Sequence, residues 1–458
     1  MNTFYTKLFQ VKWVVARHLY IEKNNKILVI LIYSNSFLSS HNSTVSITVL
    51  CTLICSVIIV SFLPIMWLDL MNEAYGQSGH HSYVPYVGVN MKGLYTSTIH
   101  NNRSTIIFPD NYYIDSFKLL TGIGMNHIRF VLYWEAYEKD PIAFMTELQT
   151  VASLADRWGL HVVYDNHQFH TSSWLDPIRG SGFPASLFND NMSYPHGSGG
   201  SPAFPSASKW WTKWWNHNLT DDRGIDGWTL QTAFLKKVIK TVEGHRSTLG
   251  YEILNEPQIH NVDQWEKIGK YNTFVANELR KLTNKTLVFD MTIPFELSNM
   301  KINITLDNIA KLLPLNKNNS VFKISLYGIP TPGSYAEQKL KLLTALTNMT
   351  GVPLYIGEWN DVSREEHLDV EGKTVDDTNQ VSDLNQTNAN IMTKKFNGIG
   401  VWGWAFWNWY FLPDSTPDFN LITITPDGNM VTTKYFDMLK HAIAISLALN
   451  QIVINKTK

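Results

Sequence analysis

The feature that most constrains this chain is an alternation. Short apolar, β-branched runs take turns with stretches of helical periodicity. The runs fall at residues 86–89, 127–132, 161–164, 250–254, 286–289, 321–326, 353–356 and 399–404. Between and after them, residues 113–121, 141–158, 229–245, 262–282, 306–312, 336–349, 382–396 and 433–449 repeat apolar side chains at helix spacing. Strands that alternate with helices form a parallel sheet covered on both faces. Eight such units in one uninterrupted stretch predict a single α/β domain, a closed (β/α)8 TIM barrel, rather than an open sheet. The barrel is expected over residues 83–447, with a C-terminal tail at 448–458.

Upstream the chain changes character. No charged residue occurs between Lys26 and Asp69, and residues 45–68 are predominantly apolar. Those 24 residues suffice to cross a bilayer core of roughly 30 Å. Lys7, Lys12, Arg17, Lys23 and Lys26 precede them against Glu22 alone, which predicts a basic cytoplasmic segment at 1–44. Everything beyond a linker at 69–82 is then exported. The apolar segment is either an uncleaved signal anchor or a cleaved signal peptide. Both cysteines, Cys51 and Cys55, lie inside it, so no zinc cluster or disulfide framework can be built downstream.

Formal net charge is −1, from 38 Lys+Arg against 39 Asp+Glu, so no basic field points to nucleic acid. Aromatic residues are abundant, with 16 Trp. Four of these, Trp210, Trp211, Trp214 and Trp215, occur in the longest insertion, residues 168–227, which follows the third run. Two readings stay open: a helix packed down on the barrel, or a wall on which sugar rings stack.

In such a barrel, polar residues just after the strands face the active site. They are Asp165, Asn166, His167, Asn255, Glu256, Tyr327 and Glu358, with Arg129 within the second run and Trp404, Trp407 and Trp409 around the last. No His/Asp/Glu set has metal-ligand spacing, and neither a phosphate-cradling Gly-rich loop nor a G-x-S-x-G elbow is present. The natural agents are Glu256 and Glu358, each directly after an apolar run. Each could be a salt-bridge partner of Arg129. Together they are the equipment of glycoside hydrolysis, in which one carboxyl donates a proton and the other stays ionised.

The motifs around them resemble glycoside hydrolase family 5, the cellulase family of retaining (β/α)8 enzymes. Leu254-Asn255-Glu256-Pro257 matches the family's strand-four Asn-Glu-Pro, and Ile356-Gly357-Glu358-Trp359 its strand-seven Gly-Glu-aromatic. Arg129 in Ile128-Arg-Phe matches the strand-two Arg, and His167 in Tyr164-Asp-Asn-His the strand-three His. Trp404-Ala-Phe-Trp407-Asn-Trp409 resembles the strand-eight segment, and Gly88-Val-Asn-Met-Lys-Gly93 the strand-one opening. The resemblance runs in order over about residues 83–445.

It implies that Glu358 is the nucleophile and Glu256 the acid/base. It further implies that Arg129 helps hold the nucleophile, that Asn255 binds the sugar 2-hydroxyl, and that His167, Tyr327, Trp407 and Trp404 line the sugar site. No cofactor or metal is implied. The expected activity is a retaining endo-β-glycanase acting on β-1,4-glucan, with mannan or another β-glycan as the alternative. An inactive carbohydrate-binding surface protein is a further reading. A monomer is expected, on the cell surface or secreted. One departure stands out: the family carries His-x-Tyr after strand six, and this chain reads Ser325-Leu326-Tyr327.

Overall fold

The computed structural model describes residues 16–23, 26–33, 85–97, 108–201, 203–259, 264–290, 305–361, 367–368, 374–375, 385–411 and 419–457. The chain divides into two units, Met1–Gly76 and Gln77–Lys458. In the first, Ala16–Lys23 and Lys26–Tyr33 pair as an antiparallel hairpin. The expected membrane segment, residues 45–68, lies outside the described residues. Among the described residues, no helix is long and apolar enough to cross a membrane.

The second unit holds a closed eight-stranded barrel. Its strands are β1 (Tyr86–Lys92), β2 (His127–Leu132), β3 (His161–Asn166), β4 (Thr248–Glu252), β5 (Thr286–Asp290), β6 (Ser320–Tyr327), β7 (Leu354–Asn360) and β8 (Gly403–Phe406). Neighbours pair in parallel around the ring, and β8 closes it between β7 and β1. All eight expected runs become strands, because barrel strands are buried on both faces and so read as continuous apolar stretches. The eighth starts later than the sequence indicates. The preceding helix, Gln386–Ile399, runs on until Gly400 ends it at φ 67°, a left-handed cap.

Helices cover the outside for legible reasons. In Pro141–Trp158, Asp140 caps the first turn by accepting from the Ile142 and Ala143 amides, and Gly159 stops the last at φ 67°. The face carrying Phe144, Leu148, Val151, Ala152 and Ala155 is buried. The last helix extends over Lys434–Thr457, so most of the expected tail is its continuation. Inside the ring, Val163, Val288, Val321, Tyr355 and Ala405 form a small core of their own. They come from β3, β5, β6, β7 and β8, and fill the barrel beneath the polar layer described next.

The insertion after β3 folds down rather than standing up. Its helix Pro205–Trp215 buries all four indoles, each 2% exposed or less. Trp210 stacks on Trp214 and Trp211 on Trp215, at ring separations of 5.3 and 5.4 Å. Phe183 and Tyr271 close on them edgewise. Of the two readings of this segment, the packed helix is the one observed.

Candidate active site

β7 carries one residue more than its neighbours. Ile356 pairs with Ile324 but Glu358 with Ser325, so Gly357 is a bulge residue that re-aims the glutamate. Asn90 of β1 holds the bulge by donating from Nδ2 to the Gly357 carbonyl at 2.8 Å. A side chain at Gly357 would collide with the stem of Lys323, whose Cγ and Cε lie 2.5 and 2.7 Å from the Cβ position.

Glu358 is buried, and its two oxygens are held differently. Oε1 accepts from Arg129 at 2.9 Å and from Lys323 at 3.2 Å. Oε2 accepts from the Tyr327 hydroxyl at 2.6 Å. Burial would raise the pKa of this carboxyl, but Lys323 and Arg129, with the hydrogen bond from Tyr327, outweigh it and hold Glu358 well below the usual carboxylate range.

Arg129, fully buried in β2, is the hub. It forks onto Glu252 through Nε and NH2, both at 2.7 Å. NH2 also meets Asp165 at 2.9 Å and Asn255 Oδ1 at 2.8 Å, and NH1 meets Asn90 Oδ1 at 2.7 Å. Lys323 of β6 is equally buried and donates to Asn255 Oδ1 at 2.6 Å, Asp290 at 2.8 Å and Ser325 Oγ at 2.9 Å. Two cations thus face four carboxylates, Asp165, Glu252, Asp290 and Glu358. Four buried negative charges cannot all persist against two positive ones, so protons are driven onto the rest. Burial pushes Asp165 up to about 7 against the pull of Arg129, and pushes Glu252 and Asp290 up as well.

His167 donates from Nδ1 to Asp165 at 2.7 Å and stacks on Trp407 with ring centroids 5.5 Å apart. Burial lowers its pKa to about 3, which keeps it neutral with Nε2 as an acceptor. Glu256 is partly buried, and its backbone is pinned at φ 41°. Its amide donates to Asp290 Oδ2 at 2.6 Å, and its carbonyl accepts from Gln168 at 2.6 Å. A non-glycine residue in the left-handed region needs such over-determination to stay there.

The structure therefore brings Arg129, His167, Asn255, Tyr327, Glu358 and Trp407 to one end of the barrel, with Glu256 in the loop after β4. Two expectations change. Trp404 points outward, against Trp359 of β7 and Phe396 of the covering helix at 5.5 and 6.4 Å, because alternation along β8 puts Ala405 on the inner face. Asn255 has its amide fully engaged: Oδ1 accepts from two cations, and Nδ2 faces His167 Nε2 at 3.3 Å and the Gln168 carbonyl at 3.1 Å. A sugar hydroxyl could reach it only by displacing one of these partners.

Sequence reasoning missed Asn90, Glu252, Asp290 and Lys323. For Glu252 and Lys323 the signal existed, a charge inside an otherwise apolar run. Among the described residues no group of three or more His, Cys, Asp or Glu side chains could hold a metal ion.

The family model described as cellulase, glycosyl hydrolase family 5, matches residues 85–409. No curated protein matches the sequence. A crystal structure of endogalactoceramidase superposes with a TM-score of 0.59 at 17% identity, covering 79% of this chain and 81% of that one. Endo-glycoceramidase II from Rhodococcus sp., as its ganglioside GM3 complex, gives 0.54 at 14%, covering 80% and 81%. An endo-β-1,4-glucanase from Xanthomonas axonopodis pv. citri gives 0.48 at 14%, covering 79% and 99%. At such identities the first two show a shared fold alone. The family match spans well over half of the chain, and this protein belongs to glycosyl hydrolase family 5.

Proposed function

We propose that the protein is a retaining endo-β-glycosidase in which Glu358 attacks the anomeric carbon and Glu256 serves as acid and then base. The carrying observation is the asymmetric hold on Glu358. Two cations anchor Oε1 and keep the carboxylate charged, while Oε2 has a single neutral donor, Tyr327, and is the oxygen freer to attack. Attack forms a glycosyl ester on Glu358 as the aglycone oxygen takes the proton of Glu256. Glu256 then deprotonates the water that cleaves the ester, with net retention. Trp407, stacked on His167, supplies an apolar face for the sugar ring.

β-1,4-glucan is the lead substrate, from the resemblance to the cellulase family, with mannan or another β-glycan as the alternative; the motifs around the two carboxylates are common to enzymes of all these substrates. A second reading, a glycan carried on a lipid, gains from two observations. The indoles offered as a wall for a long glycan are buried, while Phe169, Ile178, Met192 and Phe204 of the same insertion are exposed. Solved structures sharing the fold are named for endogalactoceramidase and endo-glycoceramidase II.

The test is sugar release by the full chain from soluble cellulose, mannan, xylan, mixed-linkage glucan and micellar glycosylceramide. Glu358→Gln and Glu256→Gln run alongside. Cleavage of one substrate by wild type and by neither variant is the expected result. Binding without cleavage would instead install the carbohydrate-binding reading.

The charge distribution before residue 45 supports export, with residues 45–68 as an anchor or a cleaved signal. Release of the barrel into the medium, against retention in the membrane fraction, separates the two. Recovery in the cytosol would overturn both.

A further inference from the structure

We propose that Lys323 is a positioning residue of this site: it is the second cation, beside Arg129, that fixes the Glu358 carboxylate and ties it to the segment bearing Glu256. The proposal rests on the reading of Glu358 as nucleophile.

Three observations carry it. Lys323 has no exposed side-chain surface, and its ammonium group meets Asn255, Asp290, Ser325 and Glu358 oxygens within 3.2 Å. Asp290 Oδ2, at 2.8 Å from that group, also accepts the Glu256 amide at 2.6 Å. A continuous path of polar contacts thus runs from the nucleophile through Lys323 and Asp290 to the backbone of the other glutamate. Finally, Gly357 leaves the stem of Lys323 room to cross the β7 bulge, a passage that any side chain there would block.

Ser325 gives this arrangement its meaning. It stands where the family pattern has a His, and it accepts from Lys323 at 2.9 Å. Residues 323 and 325 lie on the same face of β6, two apart, so the strand supplies its polar group one step deeper in the barrel. Beside the serine that stands in place of the His lies a cation that cannot act as an acceptor.

The groups facing Glu358 are Arg129 and Tyr133 from the β2 side, Asp165 and His167 from β3, and Glu252 from β4. Asp290 of β5, Lys323 and Tyr327 of β6, and Tyr355 of β7 are the further groups around it among the described residues, and Glu256 stands opposite in the proposed mechanism. Without Lys323, one guanidinium faces four carboxylates. Glu358 then holds its proton to higher pH, and the acid limb of the rate profile moves up.

The experiment uses the full chain with dinitrophenyl β-cellobioside and β-lactoside. Their leaving group departs without a proton, so kcat/KM reports attack by Glu358 and not donation by Glu256. Lys323→Met, Lys323→Arg and the double variant Lys323→Met/Asp290→Asn are compared with wild type and Glu358→Gln, each with its melting curve. In folded Lys323→Met, kcat/KM is expected to fall about a hundredfold, the size typical of losing one charge-stabilising donor. Its acid limb should rise by about one pH unit, a tenfold change in the protonation equilibrium, while inhibition by cellobiose stays put. Lys323→Arg should keep the limb close to that of wild type.

The double variant removes both charges of the pair and guards against misfolding of the single one. The same loss in a folded double variant supports positioning. A wild-type rate and acid limb in either folded variant overturns it, leaving Lys323 as a mere partner of Asp290. Failure of both to fold makes Lys323 a folding residue and also overturns the proposal. Inertness of wild type itself brings down the nucleophile reading and this proposal together, a result distinct from active wild type with unchanged variants.

Discussion

Two lysines are buried at the same end of the barrel and meet opposite fates. Lys323, on the floor of the site, loses solvation but lies against Asp290 and Glu358, and its pKa is driven above the ordinary lysine value. Lys92, at the rim where β1 ends, is 4% exposed, and burial lowers it to about 8 although Glu135 pulls the other way. Its ammonium group sits over the rings of Tyr133 and Phe411, at 5.1 and 4.8 Å, with no carboxylate in contact among the described residues.

The carboxylates mirror this. Glu358 touches two cations and is held low. Glu135 receives only neutral donors, the Gly182 amide at 2.7 Å and the Ser173 hydroxyl, and burial raises it to about 7. Desolvation acts on these four groups alike, and among them the ion in direct contact decides the sign of the shift. Asp165, Glu252 and Asp290 touch the same two cations and are still pushed up, because two cations are shared among four carboxylates. The floor keeps the charges of Lys323 and Glu358, and the rim sheds those of Lys92 and Glu135.

The hardest test of the floor is Arg129→Met. It strips Asp165, Glu252 and Glu358 of their shared guanidinium while keeping apolar bulk. Breaking a buried ionic network from one side costs about 3–5 kcal/mol. Urea unfolding at pH 7 should show that loss, and sugar release should fall with it. Unchanged stability would mean that the floor carboxylates are already neutral, and the contrast with the rim would collapse.

Beyond the rim, Trp214→Ala asks whether the insertion is scaffold or substrate wall. Trp214 is buried against Trp210, Phe183 and Tyr271. The expected loss is about 3–5 kcal/mol of stability, with KM unchanged on any glycan that is cleaved. A raised KM in an equally stable variant would restore the wall.

These contrasts also mark how far the sequence could be read. The eight strands were legible because parallel barrel strands are buried on both sides, and their apolar runs need no tertiary knowledge to be seen. His167, Tyr327 and Glu358 were legible because a charge or ring at the end of such a run has one natural direction to face, and Arg129, inside its run, through the Ile128-Arg-Phe motif. Lys323 left a mark, a charge inside its run, but not its role, since its partners Asp290 and Glu358 lie 33 and 35 residues away. Trp404 and Trp407 sit three apart in one aromatic segment, and only the pleat of β8 separates an outward packing residue from a site residue. The four Trp of the insertion have the right helix spacing for a ridge, but spacing does not say which layer the ridge meets. Phe183 and Tyr271, distant in sequence, decide that.

The smallest expected effect is the most direct probe of the rim. The folded pKa of Lys92, about 8, is depressed from 10.5. The unfolded chain therefore binds more protons between those values, and this group adds stability as pH rises through that window. Below pH 8 the charged form is buried at a cost. The difference 10.5 − 8 = 2.5 units corresponds to about 3 kcal/mol, from which the two ring contacts return about 1–2 kcal/mol. Lys92→Met should therefore stabilise the protein by about 1–2 kcal/mol at pH 7, and the gain should fade as pH approaches 10.5. Urea unfolding of both forms across that range reads it directly. Destabilisation at pH 7 would show that Tyr133 and Phe411 hold a cation as firmly as carboxylates do. Contact with an ion would then no longer be what separates floor from rim.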